Sequence, residues 1–365
     1  MTEFDMNPKT KTAFVTGATG LLGNNLVRLL ISHGVRVKAL ARSREKAEKQ
    51  LAGLPVEIVI GDMTKVSDFA DHLVGTDVLF HTAAFFRDNF KGGRHQKELR
   101  DTNVQGTAEL LKHAYAAGVR RVVHTSSIAV LRSERGQLTN ETMLRHVTDA
   151  DDDYYLSKVL SDREVEKFLE VHPDMWACMV LPGWMTGPGD IGPTSSGQVI
   201  LDFMNRKMPG TPPATFSIVD ARDVAEAMWL AAQKGRCAER YLAAGRHIEM
   251  GQLFEKLQSI TAVAAPRRRV PMAILFAMAG ASEFWAAVSG KPVLISLANV
   301  RLMASERDRS HFDNGKSERE LGVQFRPVEE TLRDTVAWYQ ENGWVGKGSV
   351  SKSRSRWMKV LPCNQ

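Results

Sequence analysis

Two rhythms of apolar and polar residues run along this chain. Short apolar runs bounded by glycine or polar residues ("KTAFVTG", "VRVKALAR", "VEIVIGD", "TDVLFHTAA", "VRRVVHTSS" and "WACMVLPG") predict buried strands. Between them, apolar residues recur every three or four positions. The first such stretch, "LLGNNLVRLLISHG", predicts a helix that is capped near Gly34. Longer helices are expected over 96–117 and 153–171. Strands alternating with helices imply βαβ units, so the expected fold class is α/β with a doubly wound parallel sheet. After Pro182 the rhythm changes. "GWMTGPGDIGPTSSG" is a loop dense in glycine and proline, and short strands and helices mix beyond it. "FSIVDARDVAEAMWLAAQ" predicts a strand, an Asp-rich turn and a helix. The expected division is a sheet domain over 10–182 with a later segment returning to it, a smaller lobe over 183–342 and a tail over 343–365.

Composition adds exclusions. The 365 residues are 43% hydrophobic and 25% charged, an ordinary globular balance. The net charge is +6, but Lys347, Lys352, Arg354, Arg356 and Lys359 lie in a tail that has no acid, leaving about +1 for the body. No nucleic-acid partner is therefore expected, and the tail reads as a solvated, disordered end. Cys178, Cys237 and Cys363 fit neither a metal-ligand spacing nor a secreted disulfide framework, so no metal and a reducing cytoplasm are expected. The first residues carry acids and do not form a signal peptide. The longest apolar run, 270–282, stops at Glu283 and is too short to span a bilayer. Core packing is its favoured role, and contact with a membrane surface is the alternative.

The candidate chemistry begins at "VTGATGLLGNN", where Gly17, Gly20 and Gly23 sit between a predicted strand and a predicted helix. Glycines let the backbone approach a pyrophosphate, and a helix N-terminus offers free N–H groups and a positive dipole end. Thr19, Leu21 and Leu22 complete this candidate cofactor cradle, which makes the domain Rossmann-type. The second strand ends in Ala41, Arg42, Ser43 and Arg44, with no acid to repel a 2′-phosphate. A guanidinium there can clamp such a phosphate, so Arg42 and Ser43 favour NADP over NAD. In "DDDYYLSKVL", Tyr154 lies four residues and Tyr155 three residues before Lys158. Both spacings share a helix face, and spacing alone does not choose between the two tyrosines.

Taken together, "TGATGLLG", "GDM", "HTAA", "NVQGT", "TSS", "YYLSK" and "LPGWMTGPGD" resemble, in content and order, the extended short-chain dehydrogenases/reductases. The resemblance runs from residue 10 to about 342 and is closest to dihydroflavonol-reductase-like and 3β-hydroxysteroid-dehydrogenase-like members. It implies a YxxxK pair of Tyr154 with Lys158, and Ser127 as the catalytic serine. Asp62 and Met63 would border the adenine, while Thr82, Ala83 and Ala84 would flank the cofactor ribose and phosphates. Asn103 would sit in a central helix, Thr125 and Ser126 would face the cofactor, and Pro182, Gly183, Trp184 and Met185 would lie at the nicotinamide end. Lys158 would also hold ribose hydroxyls and draw the Tyr154 pKa down. The implied function is an NADP-dependent oxidoreductase interconverting a carbonyl and a secondary alcohol on an apolar, cyclic small molecule.

Two alternatives stay open, a nucleotide-sugar epimerase and a cofactor-sensing regulator without turnover. "TSSIAV" lacks the Val-Tyr-Gly continuation usual in epimerases. Trp184 stands where many nucleotide-sugar members carry Asn, and it serves either a flat apolar substrate or the packing of the wall. The resemblance also implies a homodimer that pairs the helices near 96–117 and 153–171. Light scattering that showed only a 40.5 kDa species would refute it.

Overall fold

The computed structural model describes residues 11–86, 95–150, 152–289 and 297–345. The first apolar run forms β1 (Thr12–Thr16), followed by α1 (Leu21–Ser32), β2 (Arg36–Ala41), α2 (Arg44–Gln50), β3 (Val56–Ile60) and β4 (Val78–His81). The chain continues through α3 (Gln96–Leu99), α4 (Gly106–Ala116), β5 (Arg121–Thr125), α5 (Asp153–Val171) and β6 (Trp176–Pro182). Then come β7 (Trp184–Thr186), α6 (Ser195–Met204), β8 (Thr215–Asp220), α7 (Ala221–Lys234), β9 (Arg240–Ala243) and β10 (Arg246–Glu249). The last elements are α8 (Met250–Thr261), α9 (Met272–Ser289), α10 (Leu297–Glu306), α11 (Gly315–Glu320) and α12 (Val328–Glu341).

Seven strands form one parallel sheet in the order β3-β2-β1-β4-β5-β6-β9, the doubly wound arrangement expected. The order reverses between β1 and β4, where open α/β sheets bind ligands at the carboxyl ends of their strands. The later segment that returns to the sheet is β9, and α7 packs beside α1 on the same face. A second sheet, β10-β8-β7, supports the other lobe. Its core joins Phe203 of α6, Phe254 and Leu257 of α8, and Leu332 and Tyr339 of α12.

Three local expectations change. The stretch over 96–117 is interrupted by a π-helical turn at Arg100–Gln105 between α3 and α4. A Cβ on Gly106, the next residue, would lie 2.7 Å from the Met63 carbonyl oxygen, so the helix can press this closely only at a glycine. The Asp-rich turn after β8 does not exist. Asp220 ends the strand and is itself the N-cap of α7, accepting a hydrogen bond from the Arg222 amide. The apolar run at 270–282 becomes α9, but only one side of it packs. Leu275 and Ala279 are buried with Val300, whereas Ile274 is 50% and Trp285 62% exposed. No helix among the described residues is long and apolar enough to cross a membrane. The tail from 346, like 87–94, lies outside the described residues.

Candidate active site

The β1–α1 turn puts its three glycines to three different uses. Gly17 has a left-handed φ of +64°, and a Cβ there would stand 2.8 Å from the Ala83 Cα, so only glycine lets β1 and the end of β4 approach this closely. A Cβ on Gly23 would lie 2.2 Å from the Gly17 carbonyl oxygen, which makes Gly23 a packing glycine between turn and helix. Gly20 is exposed and N-caps α1 without a side-chain hydrogen bond. The first turn of α1 contains no acid, so its amides remain available to an anion. Thr19 is half-buried beside this opening. Leu21 and Leu22 are buried, and only their backbone faces the cleft end of the helix. The cradle therefore fits a pyrophosphate, as its sequence implies.

At the end of β2, Arg42 and Ser43 are exposed. The Ser43 hydroxyl accepts from the Lys46 amide at 3.2 Å and caps α2, which leaves its O–H free to donate. Asp62 is half-buried. Burial opposes its ionisation, but hydrogen bonds from the Thr64 amide and hydroxyl, both 2.8 Å, and the charges of Arg42 and Lys65 hold the carboxyl below its ordinary range. Met63 does not border the cleft as expected. Its side chain belongs to the core with Leu40, Leu79 and Leu110, because the chain there turns under α4.

Thr82 and Ala83 are pinned to β1. Both amides donate to the Thr16 hydroxyl, at 3.1 and 3.0 Å, and the Thr82 hydroxyl donates to the Thr16 carbonyl at 2.6 Å. Ala84 is exposed. Asn103, buried in the π-helical turn, clamps the next residue of this loop. Its Oδ1 accepts from the Phe85 amide at 2.6 Å, and its Nδ2 donates to the Phe85 carbonyl at 3.0 Å and to Ser157 at 3.1 Å. A π-turn that presents a buried amide to a loop is a common device at functional sites.

Asp152 N-caps α5 by accepting the Tyr154 amide at 2.8 Å and the Tyr155 amide at 3.4 Å. This sets the register of the helix that carries Tyr154 and Lys158. The Tyr154 hydroxyl hydrogen bonds with Ser127, whose Oγ also accepts from the Ala129 amide at 3.1 Å. Tyr155 turns elsewhere, under the Arg145 guanidinium 5.0 Å from its ring and beside Glu306. Geometry thus separates the two tyrosines that spacing could not. Phe86, 51% exposed, sets its ring edge-on to Tyr154 with centroids 4.8 Å apart. The loop that carries it is a pocket candidate in the sequence, but a lone phenylalanine there carries no readable code.

One expectation here changes: the Ser126 side chain turns away from the cleft. It is buried, and its hydroxyl donates to Asp162 at 2.8 Å, because successive residues in extended backbone point to opposite sides. The buried Lys158 Nζ donates to the Thr125 carbonyl at 3.0 Å, and burial lowers its pKa to about 8, against the pull of Asp162. Burial likewise pushes the Tyr154 phenol up to about 12, with the Ser127 bond pulling the other way. The phenol therefore stands protonated, ready as a donor. The Thr125 side chain turns to the opposite face, toward the Met228 sulfur at 3.4 Å.

At the far end, Pro182 is buried, and a Cβ on Gly183 would lie 2.5 Å from the Ala244 carbonyl oxygen and 2.7 Å from that of Ser217. Gly183 is thus where the two sheets touch. Trp184 packs against Phe216 with ring centroids 4.3 Å apart, and half-buried Met185 lies against the main core. Among the described residues, no three His, Cys, Asp or Glu side chains gather as a metal site.

The profile of the NAD dependent epimerase/dehydratase family matches residues 13–244. The sterol demethylase protein B of Methylococcus capsulatus is 35% identical over 339 residues, covering 92% of this chain and all of that one. A putative dihydroflavonol 4-reductase of Synechocystis is 32% identical, covering 91% of this chain and 95% of its own length. The solved structure of gox2253 superposes with a TM-score of 0.79 at 30% identity, covering 92% of this chain and 100% of that one.

Proposed function

This chain belongs to the NAD dependent epimerase/dehydratase family and is an NAD(P)-dependent oxidoreductase of the extended short-chain type, and from that premise we propose that it interconverts a ring ketone and a secondary alcohol on a flat, largely apolar substrate, with NADP as cofactor. The observation that carries this reading is the Tyr154 phenol hydrogen-bonded to Ser127, with Lys158 one helical turn along α5. A bound nicotinamide supplies a hydride to the carbonyl carbon in reduction, or takes one from the carbinol carbon in oxidation. Tyr154 gives its proton to the substrate oxygen as the new C–H bond forms, leaving a phenolate, and takes the proton back in the reverse direction. Ser127 donates to the same oxygen and orients it. The Lys158 ammonium favours the phenolate electrostatically and offers donors to ribose hydroxyls.

The uncapped end of α1 receives the pyrophosphate, and Arg42 beside Ser43 suits a 2′-phosphate. Support for an apolar, multi-ring substrate comes from the exposed Phe86 ring at Tyr154 and from relatives whose names refer to a sterol and a dihydroflavonol. The test is NADPH consumption with polycyclic and aromatic ketones, aldehydes and UDP-sugars. Net NADPH oxidation with a cyclic ketone is expected. Interconversion of UDP-sugars without net NADPH oxidation would make the chain an epimerase, and NADPH binding without turnover on any substrate would make it a regulator.

A further inference from the structure

We propose that Asp162 is a positioning residue of this site: its buried carboxylate, anchored by Arg240, aligns the Thr125–Ser127 turn with α5 and keeps Lys158 in its ammonium form. The inference rests on the reading of Lys158 as a cofactor-binding cation. Its basis is a juxtaposition. Tyr154, Lys158 and Asp162 follow one another at intervals of four along α5 and so share a face. Each is tied to a different residue of the turn after β5. Tyr154 meets the Ser127 hydroxyl, Lys158 donates to the Thr125 carbonyl at 3.0 Å, and Asp162 accepts from the Ser126 hydroxyl at 2.8 Å. Three consecutive residues are thereby laced to one helix, and Asp162 supplies the lace that does not face the cleft.

The electrostatics point the same way. The Asp162 side chain is 3% exposed, and an unpaired carboxylate at that depth would be neutralised. Its partners are the Ser126 hydroxyl, His124 Nε2 at 3.5 Å and Arg240 Nε at 3.5 Å, and Arg240 in turn donates to Glu166 at 2.6 Å. Burial works against ionisation of Asp162, yet these partners hold its carboxyl below the ordinary range. Cation and anion therefore alternate from the catalytic lysine outward, through Asp162 and Arg240 to Glu166 near the surface. Lys158 also acts on His81 of β4 and His124 of β5. Burial keeps both histidines neutral, so Asp162 is the carboxylate that acts on the ammonium. A buried ion network is poor evidence for stability in itself, since apolar residues of similar volume usually serve as well or better. Its placement against the catalytic turn gives it a function.

The test is NADPH binding, followed by the fluorescence of the nicotinamide, from pH 6 to 10. In the wild type, affinity should weaken as the pH rises through the Lys158 pKa of about 8. Asp162→Asn keeps the size and an acceptor for Ser126 but removes the charge, and it should move that midpoint down by about one pH unit. Arg240→Gln removes the cation that keeps the buried Asp162 carboxylate ionised, so it should move the midpoint down as well. Lys158→Met should abolish the step. A carboxylate that only stabilises the fold would lower the melting temperature in both variants and leave both midpoints in place. If Lys158→Met removes the step while Asp162→Asn leaves the midpoint unmoved, the inference is overturned and the function above stands. If Lys158→Met keeps the step, or the wild type does not bind NADPH, the reading of the site itself falls. Should Asp162→Asn fail to fold, Arg240→Gln decides, and a midpoint there that stays or rises overturns the proposal.

Discussion

The face of the main sheet that meets α1 and α7 and the face that meets α4 and α5 are built from the same strands, yet only the second carries a network of buried polar side chains to the catalytic turn. Toward α1 and α7, β4 sends Val78 and Phe80 and β5 sends Val123, which join Leu22, Leu26, Leu30 and Met228 in an apolar cluster, with the buried Arg121 of β5 at its edge donating to the Ala232 carbonyl of α7. Toward α4 and α5, the alternate residues Leu79 and Val122 begin a similar core, but His81 and His124 come next, paired in register across the two strands. His81 bonds the Thr16 and Thr107 hydroxyls at 2.8 and 3.0 Å, and His124 lies by Ser161 and Asp162. Strand alternation sends odd and even positions to opposite faces, so a single strand can serve both. The contrast teaches where each face spends its free energy. The apolar side contributes stability through burial. The polar side must satisfy each group it desolvates, and it holds the catalytic turn in place.

The comparison can be broken most severely at the polar face. Tyr154→Phe should cut turnover by about 10²- to 10⁴-fold, the usual worth of a placed proton donor. NADPH affinity measured by fluorescence should hardly change, and a loss of binding equal to the loss of rate would contradict the assignment. The apolar face should show the reverse pattern. Leu26 is fully buried, so Leu26→Ala should cost about 2–5 kcal/mol in denaturant unfolding while activity per folded molecule stays level. A variant that lost activity without losing stability would show that the two faces are not separate in role.

Acid sharpens the contrast next. Burial depresses His81 well below 6.5 and lowers His124 as well. The unfolded chain therefore takes up protons first as pH falls, and stability that is fully present above about pH 6.5 is lost below it. The loss should run at up to about 1.4 kcal/mol per pH unit for each histidine. Unfolding measured at pH 7.5, 6 and 5 checks this, and a flat profile would mean that the histidines are solvated. Smaller still is the effect at the β2 end. NADPH should bind about tenfold more tightly than NADH, a preference that Arg42→Ala should largely erase. Equal affinities in the wild type would place Arg42 away from the ribose. The smallest effect is expected at Tyr155→Phe, which should stay within a few-fold of wild type. That ring sits between Arg145 and Glu306, away from the Ser127 hydroxyl.

Much of the architecture is legible in the sequence. Six of the seven strands of the main sheet follow the apolar runs, the seventh, β9, being the returning segment, and α1 ends where Gly34, with φ +76°, closes it. The Tyr154–Ser127 pairing followed motifs rather than geometry, and the structure brings those two groups together. Three differences share a cause. The resemblance sets Met63 and Ser126 beside the cofactor, and the run over 270–282 reads as core, while what surrounds each comes from elsewhere in the chain. Met63 is covered by α4, Ser126 is turned to a residue 36 positions away, and α9 finds cover along only one side.

The sequence by itself determined the elements and the inventory of chemistry. Period-two strands, helical spacing, the glycine turn and the Tyr–Lys interval each depend on residues within one or two turns of one another, so their signals are local. Only the tertiary structure decided which groups meet. Asp162 finds Ser126 across 36 residues, His81 finds Thr107 across 26, and Arg240 finds Glu166 across 74. Such meetings depend on how strands from separate βαβ units register in the sheet and how deeply a helix settles on them. Packing and desolvation over the whole domain set both, and no short window of sequence carries them.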